Sequence, residues 1–357
     1  MSLSDFLKPA VEPATELGRY RILSSTSGVP WAGITSSIDE EQSFKVLDAY
    51  ADAGGNFLDT ANVYQNEESE AIVGGWVASR ANRDLMFVTT KYTGDYHMWD
   101  IGPGKSVNYS GNHKKSLRLS VRDSLLKLHT SYIDLFYLHM WDWSSSIEEV
   151  MGALHILIQE GKVLYLGISD TPAWIVAAAN TYAETHGKTP FSRDIIPMTR
   201  HFGMALCAWG ALGGGRLQTK KQLKTRKQTG KGIRATFGPE QTEDERRTSE
   251  AVEKIGAEHG TESIQQIALA YVSQKVRNVI PLIGIRKVEH LHNNIKALSI
   301  HLSDEQIAYL DNVKPFDIGF PMNMIGDDPR ETGRSGPMID PFAPIAWQKS
   351  ARHIGRE

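Results

Sequence analysis

GGNFLDTANVYQNEESEAIVGGWVASRANRDLMFVTTK, residues Gly54 to Lys91, reads as one strand, turn, helix and strand unit. A short apolar strand at Asn56–Leu58 runs into Asp59, a polar turn carries Tyr64, and Glu67, Glu68 and Glu70 mark an acidic helix start. Ile72, Val73, Trp76 and Val77 then give an amphipathic helix, and a second strand, Leu85–Thr90, ends on Lys91. Asp59 and Lys91 therefore each stand at the C-terminal end of a strand, with Tyr64 on the loop between. In a parallel α/β barrel that end is where catalytic groups collect.

These three residue types suggest a proton-transfer device. Free tyrosine, with a pKa of about 10, is a poor acid near neutrality, and a neighbouring ammonium favours the phenolate and lowers that value. Lys91 is placed to do this for Tyr64. Asp59 would in turn keep Lys91 charged, because a lysine facing a site from a strand end needs a counter-ion. An ordinary strand-end ion pair beside a loop tyrosine accounts for the same types and spacing, and the residues alone leave both readings open.

Working outward, 357 residues with 41% hydrophobic and 23% charged content indicate a globular chain long enough for one large barrel or two smaller domains. A net charge of −3 gives no global pointer to nucleic acid or an anionic membrane as partner. The single cysteine, Cys207, excludes an intrachain disulfide framework. The N-terminal residues form neither a secretory apolar run nor an arginine-rich amphipathic segment, and no apolar run approaches about 18 residues. A cytoplasmic location is the expectation.

Residues 1–36 read as an extended arm, in which Pro9 and Pro13 block a long helix. An alternation of helices and short strands follows. Ser37 is the expected cap of a helix containing Phe44, Val46, Leu47 and Tyr50. The polar segment from Tyr92 to Gly111 reads as one long loop over the site. A helix at His113–His129 feeds a strand at Ile133–Leu138 that delivers His139, and Ile147–Gln159 is a helix leading to a strand at Val163–Ile168 that delivers Ser169 and Asp170. Pro172 falls in a first helical turn. A short helix at Asp194–Phe202, a strand at Met204–Ala208 and a glycine-rich loop, Trp209 to Leu217, come next. Residues 218–248 lack an apolar period and read as a solvated excursion. Helices at Glu250–His259, Ser263–Gln274, Val288–Leu298 and Asp304–Val313 and a strand at Val279–Ile283 complete the body. A proline- and glycine-rich tail, 314–357, ends the chain.

Strands alternating with helices of 10 to 15 residues indicate parallel βαβ units. No strand runs into GxGxxG, so a Rossmann fingerprint is absent. Glycines suited to cradle phosphate are Gly213–Gly215, and a second candidate is Gly284 with Arg286 and Lys287 at a strand end before a helix.

The order Asp59, Tyr64, Lys91, His139, within GNFLDTANVY, FVTTKY, DLFYLHMWD, LGISD and IPLIGIRKVEHLHNNI, resembles the aldo-keto reductase superfamily. Within it the text is most similar to fungal aryl-alcohol dehydrogenases and norsolorinic acid reductases of polyketide pathways, from about Leu17 to Asp328. The resemblance implies an α/β fold, a (β/α)8 barrel spanning 37–313. It also implies NADP(H) as cofactor and an aromatic or polyketide small molecule as substrate. Tyr64 would protonate the carbonyl oxygen with Asp59 and Lys91 tuning it, and His139 would orient the carbonyl. Ser169 and Asp170 would hold the nicotinamide carboxamide, and Asp59 also adjoins the cofactor. Trp209, Gly210, Ala211, Leu212, Gly213, Gly214, Gly215, Arg216, Leu217, Gln218 and Thr219 would line the pyrophosphate. Arg286, His290, Asn293 and Asn294 would surround the adenosine 2′-phosphate, an arginine there favouring NADP over NAD.

The chain departs from that pattern in three places. Many relatives have Asn where Asp170 stands. After Val29 relatives continue through a first barrel strand and a glycine-bearing turn, whereas PWAGITSS follows here. After Ser192 they continue through a strand with Tyr and Gln at the nicotinamide, whereas Arg193 and DIIPM follow here. Six core strands are legible where a barrel needs eight, so the first and sixth strands are expected to be incomplete or irregular. The Leu17–Leu23 arm is a candidate replacement for one of them. Two function classes follow: an NADPH-dependent carbonyl reductase, and a non-turning-over nucleotide-binding protein with a reductase-like body, as in potassium-channel beta subunits.

Overall fold

Strands buried on both faces of a parallel sheet need near-continuous apolar runs, and IDLFYL, six residues all buried, is such a run. The computed structural model describes residues 21–24, 27–29, 39–102, 105–191, 206–208, 210–228, 240–275, 279–315 and 333. They fall into two compact units, residues 1–211 with 278–299, and residues 212–277 with 300–357.

In the first unit an antiparallel hairpin joins β1 (Arg21–Ser24) to β2 (Ser27–Val29). A four-stranded parallel sheet follows in the order β3 (Phe57–Asp59), β4 (Phe87–Tyr92), β5 (Ile133–Leu138), β6 (Val163–Ile168). β7 (Leu206–Ala208) pairs in parallel with β8 (Val279–Pro281). The hydroxyl of Tyr137 on β5 donates to Cys207 Sγ on β7 at 3.3 Å. The intervening helices are α1 (Glu40–Asp52), α2 (Glu68–Arg80), the short α3 (Met98–Ile101), α4 (Lys114–Lys127), α5 (Ile147–Gln159) and α6 (Ala173–Thr185).

Register brings the C-terminal strand ends level: Asp59 lies opposite Thr89, Lys91 opposite Tyr137, and Leu138 opposite Ile168. The ladder continues one step past the strands. His139 N–H donates to Tyr92 O at 3.1 Å and Ser169 N–H to Leu138 O at 2.9 Å. The residues just beyond the strands are thereby held by backbone rather than left on free loops. At the opposite end Arg83 reaches Asp134 at 2.7 Å, and the same carboxylate oxygen accepts from Val88 N–H at 2.9 Å. Tyr137 covers Gly167 so closely that a Cβ there would lie 2.2 Å from the ring, which requires glycine opposite this tyrosine.

The second unit is helical among the described residues, with helices Lys220–Gln228, Glu243–Glu258, Ile264–Lys275 and Asp304–Asp311. Val252, Ile255, Ile264, Ile267 and Leu302 form its core. Reciprocal capping boxes start two of the helices, Thr242 with Glu245 and Ser303 with Gln306.

Several expectations need correction. Residues 218–248 are not simply an excursion, because Lys220–Gln228 is a helix and the next begins at Glu243 rather than Glu250. The charged first turns EDERR hide this from an apolar-period reading, although the Thr242 capping box was a usable signal. The helix after the arm is capped by Asp39, whose side chain accepts from Gln42 N–H at 2.8 Å, instead of Ser37. The 92–111 segment contains α3 and a 3-10 turn at Val107–Tyr109, and Tyr96 within it is buried and donates to Asp123 at 2.8 Å. Pro172 stands just before its helix, at the cap. The strand Arg21–Ser24 pairs with Ser27–Val29 and not with a parallel strand, so the arm gives no replacement strand among the described residues. Six parallel strands are present among those residues. The expected helix at 194–202 and the shortened segments after Val29 and Ser192 lie outside them. No helix among the described residues is long and apolar enough to cross a membrane.

Candidate active site

Alternation along β4 separates two tasks. Thr89 and Lys91 share one face, as residues two apart on a strand do, and both meet Asp59. Lys91 Nζ lies 2.7 Å from Asp59 Oδ2 and donates to Thr60 O at 2.7 Å, while Thr89 Oγ1 donates to Asp59 Oδ1 at 2.7 Å. Thr90, on the other face, donates to Glu70 Oε1 at 2.6 Å. The Lys91 and Asp59 side chains are each 5% exposed, so the pair is desolvated and neither charge could stand there alone.

Tyr64 lies on the turn after β3, half-buried. Lys91 Nζ stands 5.0 Å from its ring centroid and 5.3 Å from that of Tyr137. The His139 ring meets Tyr64 edge to face, with centroids 5.7 Å apart. All four expected catalytic side chains are therefore together. His139 Nδ1 is buried without a hydrogen-bond partner, an orphan of the kind that a ligand or ordered water satisfies. Burial, and then the Lys91 ammonium, lower the His139 pKa to about 4 against the partial opposition of Asp59 and Asp170. The imidazole is neutral near pH 7.

Ser169 is buried and donates from Oγ to Asp170 Oδ2 at 3.1 Å, while Thr171 Oγ1 donates to Ser169 O at 2.7 Å. Asp170 has φ +40°, a left-handed conformation that Asp and Asn tolerate better than most residues. Arg286 and His290 are exposed, Asn293 is half-buried and Asn294 buried, all at or within the helix Val288–Ile295. Lys287 precedes that helix without a side-chain cap.

Gly210 and Ala211 lie in a turn, and Trp209 lies outside the described residues. In the second unit Gly213, Gly214 and Gly215 have φ of 59°, 60° and 85°. Arg216 turns to Glu245 at 2.5 Å, Leu217 packs on the helical core, Gln218 donates to Gly215 O at 3.1 Å, and Thr219 Oγ1 accepts from Gln222 N–H at 3.1 Å. Those four side chains serve their own unit, and the Gly215 N–H donates within the turn to Leu212 O at 3.2 Å. Sequence reasoning missed Thr89, the Thr60 carbonyl and Tyr137. Thr89 was accessible from its i, i−2 relation to Lys91, whereas Tyr137 needed the β4–β5 register.

An aldo/keto reductase family model matches residues 26–315. The chain belongs to the aldo-keto reductase family. It is accordingly an oxidoreductase, and the family fold is the (β/α)8 barrel, to which the six parallel strands contribute. A Saccharomyces cerevisiae protein provisionally named aryl-alcohol dehydrogenase AAD14 is 56% identical over 375 residues, covering 97% of this chain and 100% of that protein. An aryl-alcohol dehydrogenase [NADP(+)] of Phanerodontia chrysosporium is 46% identical, covering 89% of this chain and 92% of its own. A norsolorinic acid reductase of Aspergillus flavus is 44% identical, covering 92% and 89%. The 375-residue span exceeds this chain's 357 residues, so the yeast relative carries residues within it that have no counterpart here.

The His139 environment sets an expectation for pH. Its ring signals, followed by NMR, should not titrate between pH 5 and 8, and should move only near the value of about 4. Because the folded state binds this proton less readily than the unfolded chain, the stability it contributes is complete above about pH 6.5 and declines as pH falls from there toward 4. Titration near 6.5 would show the ring to be solvated rather than packed beside Lys91.

Proposed function

We propose that this chain is an NADPH-dependent reductase of aromatic or polyketide carbonyls, able to run in reverse as an alcohol dehydrogenase, with the body 37–313 as its catalytic unit. The observation that carries the reading is the Lys91 ammonium, neutralised by Asp59, 5.0 Å from the ring of Tyr64. An isolated structural ion pair would not need a half-buried phenol and a neutral imidazole gathered around it.

The residues fit the cofactor. Arg286 and Lys287, exposed at a helix start with no side-chain cap, suit a phosphate. Bound NADPH supplies the hydride that adds to the carbonyl carbon. Tyr64 gives its phenolic proton to the carbonyl oxygen, and Lys91 stabilises the phenolate left behind. His139, neutral, offers a ring nitrogen to the same oxygen. Ser169 and Asp170 would hold the carboxamide, and Arg286, His290, Asn293 and Asn294 would surround the 2′-phosphate. The aromatic substrate class draws on the names of the relatives, an aryl-alcohol dehydrogenase and a norsolorinic acid reductase.

A second reading, a nucleotide-binding protein that does not turn over, draws on the relative's matched span being longer than this chain. Purified protein mixed with NADPH and aromatic aldehydes, followed at the reduced-nicotinamide absorbance, separates the two. Turnover supports the reductase, and saturable NADPH binding without turnover supports the binding protein.

For the cofactor, Arg286→Ala should weaken NADPH binding by about 1.5–3 kcal/mol, the range for a hydrogen bond to a charged group, and NADH binding much less. Equal losses for both would remove Arg286 from the 2′-phosphate. For the chemistry, Tyr64→Phe keeps the ring and removes only the phenolic oxygen. Carbonyl reduction should fall by at least about 100-fold, within the range for a positioned general acid, with NADPH affinity little changed. A rate within about threefold of wild type would mean that the proton comes from elsewhere.

A further inference from the structure

The turn that carries Tyr64 has an unfavourable backbone. Gln65, Asn66 and Glu67 follow it with φ of 52°, 52° and 77°, three consecutive left-handed residues of which none is glycine. Such conformations persist only when their surroundings over-determine them. Near the turn, Asn62 N–H donates to Lys91 O, Tyr64 N–H to Ala61 O at 3.1 Å and Ser69 N–H to Tyr64 O at 3.4 Å. Beyond it the anchor is ionic and comes from another helix. Lys127 Nζ lies 2.8 Å from Glu67 Oε2 and 2.7 Å from Glu70 Oε2. Glu70 is fully buried, Lys127 is 17% exposed, and the ammonium also lies 5.0 Å from the Tyr96 ring centroid. His97 Nδ1 is 3.7 Å from the other oxygen of Glu67.

The anchor has a fixed base. A Cβ at Gly74 would come within 2.0 Å of Lys127 O, so the backbones of α2 and α4 touch where Lys127 begins its reach. Burial lowers the Lys127 pKa, but the Glu70 and Glu67 carboxylates more than offset this and hold it above its ordinary value. The lysine is thus a permanent cation. Glu70 in addition accepts from Thr90, the neighbour of Lys91 on β4. One carboxylate therefore links the helix after Tyr64 to the strand that bears Lys91.

We propose that Lys127 is a positioning residue for the general acid: by bridging Glu67 and Glu70 it holds the left-handed turn Gln65–Glu67, and through it the Tyr64 phenol against Lys91 and His139. This rests on the reading of Tyr64 as the acid, and the test separates the two.

The test measures reduction of benzaldehyde and naphthaldehyde by NADPH in wild type, Lys127→Met, Lys127→Arg, Tyr64→Phe and the double variant Tyr64→Phe/Lys127→Met. Misplacing a catalytic group by about 1 Å can cost up to about 100-fold. Lys127→Met should lower kcat by about tenfold or more, with the KM for NADPH within about twofold, and Lys127→Arg should recover most of the rate. In the Tyr64→Phe background the same change should cost nothing further, because there is no acid left to position. If Lys127→Met fails to fold because Glu70 is left unpaired, Glu67→Gln keeps that buried pair and carries the same cycle with a smaller drop. Lys127→Met at the wild-type rate, or an equal loss in both backgrounds, overturns the positioning role while leaving the acid in place. Tyr64→Phe at the wild-type rate, or a wild type that reduces neither aldehyde, overturns the acid and the positioning role together.

Discussion

An ammonium buried at a strand end is tolerable only beside a counter-ion, and the first unit is arranged so that Lys91 has one. Asp59 is the last residue of β3, its two oxygens are taken by Thr89 and Lys91, and the register of β3 against β4 sets those distances. Removing either member of such a pair strands the other charge at a cost of about 3–5 kcal/mol. The pair therefore contributes to holding the two strands together. Because Lys91 also donates to the Thr60 carbonyl, the same ammonium pins the start of the turn that carries Tyr64.

The two faces of β4 divide the labour of the region. Thr89 and Lys91 face Asp59, whereas Thr90 faces Glu70 and the helix that follows the turn. The turn that carries Tyr64 and the helix after it are tied to both faces of one strand and to the end of α4. The position of Tyr64 depends on packing between several elements rather than on the loop itself.

Much of this was legible in the sequence. The limits of Ile133–Leu138, Ile147–Gln159 and Val163–Ile168 coincide with the structure because long apolar strands and a capped amphipathic helix signal themselves strongly. Asp59, Tyr64 and Lys91 stood out at two strand ends and the turn between, with a structural ion pair left equally open, and it was the family resemblance that added His139 and the catalytic reading. Glu70 does lie in the acidic first turn of α2, as the sequence indicates, but its burial was not legible, because its partners, Thr90 and Lys127, arrive from distant parts of the chain. Tyr96 was missed for a similar reason, lying in a polar segment that nonetheless buries its ring over Lys127. Likewise Arg216 looked available to a phosphate until Glu245, twenty-nine residues later, was seen to hold it. Pairings made by tertiary structure leave no periodic trace.

The central claim is that the Lys91 charge makes Tyr64 an effective acid. It is tested most directly by the pH dependence of kcat for carbonyl reduction, compared between wild type and Tyr64→Phe. In wild type the rate should fall above an apparent pKa lower than the value of about 10 for free tyrosine, and that alkaline limb should be absent from the residual activity of Tyr64→Phe. An alkaline limb at the same pH in both proteins would assign the titrating group to another residue and contradict the account.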